Sequence, residues 1–410
     1  MNSGRRDDLL MRPAGAVLIV ILVIASVLAY FLPQFTHVEP EEETEDRLFT
    51  ILLTATYENR NSEGASWNFT EDDTMVSLFM NSSWQTVCLA NSSHEIQRVE
   101  NDGDGNPVAF MAFPESRLTC GENFSFEVAY RIALKPRSVP EFSEEGSGSL
   151  GDIPEDLRGF YCSSAGPWQM DDHGLQDLAR ELAGNETKVI TIARKFIEWI
   201  RDHISRKTLD IPRYPVETLR GRAGDCDDQA NLFISLCRIT GIPAYLQAGC
   251  IYVSNKQVVN SYWDGCLTSE LTRIAWHGWA VVYVPPWGWL PVDFTYVSLG
   301  DLRSDALNAI RLSAIIAYPT VQYANITVTD YIAASRDRRD FIVAHGFHIY
   351  GHDTMSEEAE GEGMGQATLI LLRRLFIVSH VALVAPVSTG LQNRRAPIIS
   401  KLVAPHSECL

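Results

Sequence analysis

One cysteine, placed where a loop turns into a helix, limits what this chain can fold into. Residues 221–230 read Gly-Arg-Ala-Gly-Asp-Cys-Asp-Asp-Gln-Ala, and Cys226 stands at the turn. A thiol is a poor nucleophile while protonated, with an ordinary pKa of about 8.5. A helix N-terminus supplies roughly half a positive charge and unpaired N–H groups, which favour the thiolate. Gly224 and Asp225 suit a helix start, Asp225 as its cap. Cys226, Ala230, Phe233 and Cys237 keep one helical face small or apolar, and Gly241-Ile242-Pro243 stops the helix. Further on, His277 opens an apolar, β-prone run to Val284. Pro285-Pro286-Trp287-Gly288 is a turn, and residues 289–294 are the return strand. Such a hairpin brings Asp293 back beside His277. Cysteine, histidine and aspartate in that order are the parts of a thiol nucleophile, its base and the group that orients the base.

The residues around these three carry a likeness. Gly-Asp-Cys-Asp-Asp at 224–228, Leu-Cys-Arg-Ile-Thr-Gly-Ile-Pro-Ala at 236–244, His-Gly-Trp-Ala at 277–280 and Gly-Trp-Leu-Pro-Val-Asp at 288–293 follow one another in order. Together they resemble the transglutaminase-like superfamily, which includes transglutaminases, peptide N-glycanases and microbial cysteine proteases. The resemblance covers about residues 188–296. It implies an α+β fold with a papain-like transglutaminase core, a helix packed on an antiparallel sheet. It also implies Cys226 as nucleophile, His277 as base and Asp293 as orienter. Two departures stand out. Val281 occupies a position that is acidic in many relatives, and no residue is identified as the side chain that assists the oxyanion. Trp199, Tyr214 and Trp263 are candidates for that role, and Trp276, Trp279, Trp287 and Trp289 for lining an acyl cleft, with core packing as the competing role.

The rest of the chain frames this core. A net charge of −18 over 410 residues argues against a nucleic-acid partner, which needs a basic surface. Residues 1–13 read as a cytoplasmic tail with Arg5, Arg6 and Arg12. Residues 14–32 hold no charge, and at about 1.5 Å per residue they match a bilayer core of roughly 30 Å. Basic residues before and an acidic linker at 33–46 after orient such a transmembrane anchor with the bulk of the chain outside; a cleaved signal peptide is the competing reading. Residues 47–135 read as short strands and turns, an immunoglobulin-like β-sandwich, with 101–106 a plain turn. Residues 136–160 are a linker, 161–340 the transglutaminase-like domain, 341–366 a second linker, and 367–410 an apolar or amphipathic tail. Within the domain, residues 175–204 form two helices broken at 185–187.

Smaller features follow from this organisation. Asn68, Asn81, Asn91, Asn123, Asn185 and Asn325 begin Asn-x-Ser/Thr glycosylation sites beyond the anchor. Cys88 with Cys120, and Cys250 with Cys266, are candidate disulfides in an oxidising compartment. His345, His348 and His352 have metal-like spacing, but the neighbouring glycines weaken any helix; no metal and no cofactor is expected. The function expected is a membrane-anchored, extracytoplasmic cysteine enzyme that acts on peptide or glutamine side-chain amides through a thioester. Hydrolysis is favoured over transfer, and the partner is a protein or peptide at the cell surface. The alternative is a catalytically inactive surface binding module on the same fold.

Overall fold

The computed structural model describes residues 46–358. The segments read as an anchor at 14–32 and a tail at 367–410 lie outside the described residues. Among the described residues no helix is long and apolar enough to cross a membrane. The first eight strands are β1 (Arg47–Asn59), β2 (Trp67–Asn68), β3 (Met75–Ser77), β4 (Gln85–Ser92), β5 (Ile96–Asn101), β6 (Pro107–Met111), β7 (Arg117–Leu118) and β8 (Asn123–Leu134). After the helices Glu155–Tyr161, His173–Ala183 and Val189–His203 come β9 (Ser205–Arg206), the helix Pro215–Gly221 and β10 (Ala223–Gly224). The Cys226–Ile239 helix is followed by β11 (Ala244–Tyr262), β12 (Leu267–Val284), β13 (Gly288–Val292) and β14 (Thr320–Ile326). The helix Tyr331–His345 leads into β15 (Phe347–Glu357). The expected break between the helices at 173–183 and 189–203 is present.

The main sheet runs β14-β11-β12-β15-β1-β8-β4, with β13 also on β12. β11 and β12 form a long antiparallel hairpin, Tyr262 opposite Leu267 at the turn and Ala244 opposite Val282 at the far end. The other edge of β12 is shared. Its first residues pair in parallel with β15, and its last pair with β13. The run 274–282 is buried at every position. That is the burial of a strand covered on both faces, helices on one side and the inside of the curled sheet on the other. β1 and β8 instead alternate buried with half-buried or exposed residues, as strands with one covered face do.

The N-terminal strands depart from the sequence expectation. β1 pairs with β15 from Phe49 opposite Glu357 to Asn59 opposite Phe347, so β1, β8 and β4 continue the main sheet rather than closing a sandwich of their own. β3, β6 and β5 make a second, small sheet. The segment read as a linker after residue 340 supplies the end of a helix and a strand in the middle of the main sheet. Its histidines are accordingly dispersed. The His345 Nδ1 lies 2.7 Å from the Phe341 carbonyl, while His352 lies on β15 and approaches Glu270 at 3.8 Å. Part of the linker before residue 161 is also ordered, with a short helical turn at Leu150–Asp152 and the Glu155–Tyr161 helix.

The main sheet curls until its two ends meet. Gln85 of β4 donates its amide to the Gln322 carbonyl of β14 at 2.7 Å and accepts the Gln322 N–H at 2.7 Å. One buried carboxamide thus serves as a stretch of backbone across the seam. Phe79, Tyr130, Trp276 and Tyr323 stack edge and face inside the curl. Gln85→Ala leaves two main-chain groups unpaired at a buried position. At about 1–3 kcal/mol per orphaned group, the variant should lose roughly 2–6 kcal/mol in urea unfolding; a loss below about 0.5 kcal/mol would show that the seam closes without it.

Candidate active site

Cys226 is the first residue of its helix, and residues 226–238 of that helix are buried. The start of the helix is held by its own acids. Asp225 is the N-cap, and its N–H donates to the Asp228 carboxylate at 3.2 Å. Asp228 also accepts the Arg213 N–H at 2.7 Å. Asp227 accepts the Tyr331 hydroxyl at 2.6 Å, and Tyr331 in turn accepts the Asn231 amide at 2.6 Å. Two glycines let the backbone come this close. A Cβ on Gly224 would lie 2.6 Å from Asp228 Cβ, so no side chain fits there. A Cβ on Gly278 would lie 3.1 Å from Asp227 Cβ. The residue after His277 therefore lies against the residue after Cys226, and β12 passes the helix tip at the height of the histidine.

His277 lies well inside β12 rather than at a strand end, and Asp293 directly follows β13. Ala280 faces Val292, so Asp293 falls on the same face as His277, one diagonal step away. The His277 Nε2 and Asp293 Oδ2 are 3.0 Å apart, with both residues buried. Asp293 Oδ2 also accepts the Ala314 N–H at 2.9 Å, and Oδ1 accepts the Thr295 N–H at 3.0 Å. Burial by itself pushes this carboxyl up. The imidazole and the two amides outweigh burial and lower it to about 2. The opposite holds at the helix tip. Burial and the neighbouring Asp227 push Asp228 up to about 8. Asp225 is raised well above the carboxylate range, by burial first and then by Asp227 and Asp228. Two of the three carboxyls around Cys226 are thereby pushed toward their neutral form.

Other expected residues are placed differently. Trp276 points to the far face of β12, where its Nε1 donates to Asp353 at 2.9 Å. Trp279 is buried at 1 % exposure and is packed so tightly on Gly249 that a Cβ there would meet its ring at 2.6 Å. Neither lines an open cleft, because alternation on a strand covered on both faces sends one inward each way. Trp289 is half-buried among Tyr161, Tyr245 and Tyr283. Trp263 donates to the Asp210 carbonyl and Tyr214 to the Asp330 carboxylate, so their donors are spent on the fold. Trp199 stacks on His203.

Among the described residues the thiols are unbridged. Cys88, Cys120, Cys250 and Cys266 are all free. Cys88 faces Arg131 while Cys120 precedes the start of β8, a separation of about 26 Å along the strand. Cys250 faces Trp276 and Cys266 lies at the hairpin turn, about 30 Å away by the same rise. Neither pair meets the Cα spacing a disulfide needs. Asn68, Asn81, Asn91, Asn123 and Asn185 are exposed, whereas Asn325 is half-buried and its carboxamide oxygen accepts from Gln247. Asp225, Cys226 and Asp227 each bring one ligand atom within 4.8 Å of the others, a donor set that could take a cation. The trio is consecutive and one-sided, and Asp227 is already engaged by Tyr331.

The sequence reading missed two contacts of the site. The Tyr296 ring packs on His277 with centroids 4.9 Å apart, and Tyr318 packs on Tyr296 at 5.6 Å. Tyr331 reaches Asp227 from 104 positions away. No local pattern encodes either.

Residues 176–294 match the family described as the transglutaminase-like superfamily core. This part of the chain is a transglutaminase-like superfamily domain. Among solved structures, a candidate cysteine protease from Cytophaga hutchinsonii is similar at 19 % identity, covering 76 % of this chain and 90 % of that one, with a TM-score of 0.44. The periplasmic domain of TgpA from Pseudomonas aeruginosa is similar at 15 % identity, covering 65 % and 93 %, with a TM-score of 0.30. Red sea bream transglutaminase is similar at 11 % identity, covering 60 % and 48 %, with a TM-score of 0.26. Comparison with curated proteins finds no match.

The Asp293 carboxyl gives the site a pH signature. Its folded value, about 2, lies below an unfolded value near 3.9. Its contribution to stability is complete above about pH 4 and is lost as pH falls through about 2. Unfolding free energies from urea titrations over that window should fall by roughly 2–3 kcal/mol less in Asp293→Asn than in the wild type. Parallel acid profiles would contradict the assignment.

Proposed function

We propose that the chain is a thiol hydrolase of amide bonds, with Cys226 as nucleophile, His277 as base and Asp293 as orienter. The buried His277–Asp293 pair beside the Cys226 helix tip is the observation that carries this reading. With Nε2 committed to Asp293, the Nδ1 of His277 is the nitrogen left to take the thiol proton. The thiolate attacks the amide carbon, and the N–H groups of the first helical turn, Cys226's own included, face the oxyanion. His277 returns the proton to the leaving amine, and a thioester remains on Cys226. Water then cleaves the thioester and regenerates the thiol; an amine in its place would give transfer.

A second reading is supported by burial. Cys226 is 4 % exposed and His277 is fully buried, with Tyr296 lying on the imidazole. An inactive binding module would keep its site covered in this way. Labelling by iodoacetamide, followed by peptide mapping at mildly acidic pH, separates the two. The catalytic reading expects Cys226 to react well ahead of the other thiols, and His277→Ala to slow it by about 10²–10⁴. Equal rates at Cys226 in the two proteins would leave the inactive reading standing.

We also propose, from the apolar run at 14–32, that the chain is membrane-anchored with residues 46–358 outside the cytoplasm, where it meets a protein or peptide substrate. The five exposed Asn-x-Ser/Thr asparagines are compatible with that side. Deletion of residues 1–32 should move the protein from the membrane to the soluble fraction. Retention in the membrane would refute the anchor.

A further inference from the structure

The surface around the Cys226 helix tip carries a concentration of positive charge in a chain whose net charge is −18. β9 and β10 pair in parallel, with Arg206 beside Gly224 and Ser205 beside Ala223. Gly224 is two residues before Cys226. The same Arg206 donates through Nη1 to the Thr295 carbonyl at 3.3 Å, two residues after Asp293. Thr295 is itself folded onto the Asp293 carboxylate through its N–H. One arginine therefore spans the approach to Cys226 and the loop that holds Asp293.

Its neighbours have the same sign. Lys207 follows it, its N–H bonded to the Gly224 carbonyl. Arg222 accepts the Ser205 N–H and lays its guanidinium over the Trp199 ring at 4.7 Å. All three cations are exposed, and among the described residues none is ion-paired with a carboxylate. Two acids near the segment are already engaged: Asp202 takes two bonds of 2.8 Å from Arg201, and Asp172 approaches Arg220 at 3.8 Å. Of the three arginines in the strands of the main sheet, two are neutralised, Arg47 by Glu357 and Arg131 by Glu358. A planar guanidinium with four donors still free matches a carboxylate in two-point geometry.

We propose that Arg206, with Lys207 and Arg222, selects peptide-like substrates that carry an acidic side chain next to the reacting carbonyl. This rests on Cys226 being the nucleophile, and the test separates the two claims. The probes are iodoacetate, an anion, and iodoacetamide, its neutral counterpart, applied to the full chain with free cysteine as reference. A full charge about 7 Å from a reacting anion is worth about threefold in water. The iodoacetate-to-iodoacetamide rate ratio at Cys226 should therefore exceed that of free cysteine by about three- to tenfold at low salt. It should fall toward the reference at about 1 M salt, where the screening length is near 3 Å. It should also fall in the Arg206→Gln, Lys207→Gln, Arg222→Gln triple variant and persist in Arg206→Lys. A wild-type ratio at or below the reference, or one that salt does not change, overturns the selectivity while leaving the thiol reading intact. Failure of Cys226 to react with either reagent overturns both.

Discussion

The site depends on the period-two alternation of one strand. On β12, Trp276 and His277 are neighbours and so face opposite ways. The indole turns to Asp353 inside the curled sheet, and the imidazole turns to Asp293 beneath the Cys226 helix. A slip of one residue would exchange them, placing the imidazole beside Asp353 in the aromatic interior and the indole beside Asp293. Because both faces of the strand are covered, burial fixes the register twice. The precise height of His277 against the helix tip follows from that, with Gly278 supplying the room.

Electrostatics divides the same few ångströms into two regimes. Asp293 sits in a nest of amide and imidazole donors and stays ionised although fully buried. Asp225 and Asp228 share a helix tip with Asp227 and are driven toward the protonated form. Asp293 thus keeps a fixed charge beside the histidine, while two of the carboxyls around Cys226 are pushed toward their neutral form. The sequence spelled out three acids around one cysteine; only the geometry separates them from the one that works with the histidine.

What could be read from the chain was local. The helix at Cys226, the stop at 241–243, the hairpin and the return of Asp293 to His277 all come from patterns a few residues wide. The rest comes from partners far apart in sequence. β15 falls in the stretch read as a linker, where Gly346 and Gly351 tell only against a helix, yet its pairing with β1 and β12 joins the first and last described strands into one sheet. Gln85, Tyr331 and Arg206 carry no motif. Each acquires its role only from what folding brings to it. The tryptophans near His277 were read for size and aromaticity, whereas the pleat decides which of them meets solvent.

The parallel pairing of β12 with β15 has a consequence for anyone who would dissect the molecule. The segment that matches the family ends at residue 294, more than fifty positions before β15 begins. Excised at that limit, it would carry a strand whose main-chain amides and carbonyls, from Leu267 to Thr272, face outward along an unpaired edge. Such a fragment would recruit strands from other copies of itself and come out of solution. The smallest piece worth expressing is the whole curl, from β1 through β15.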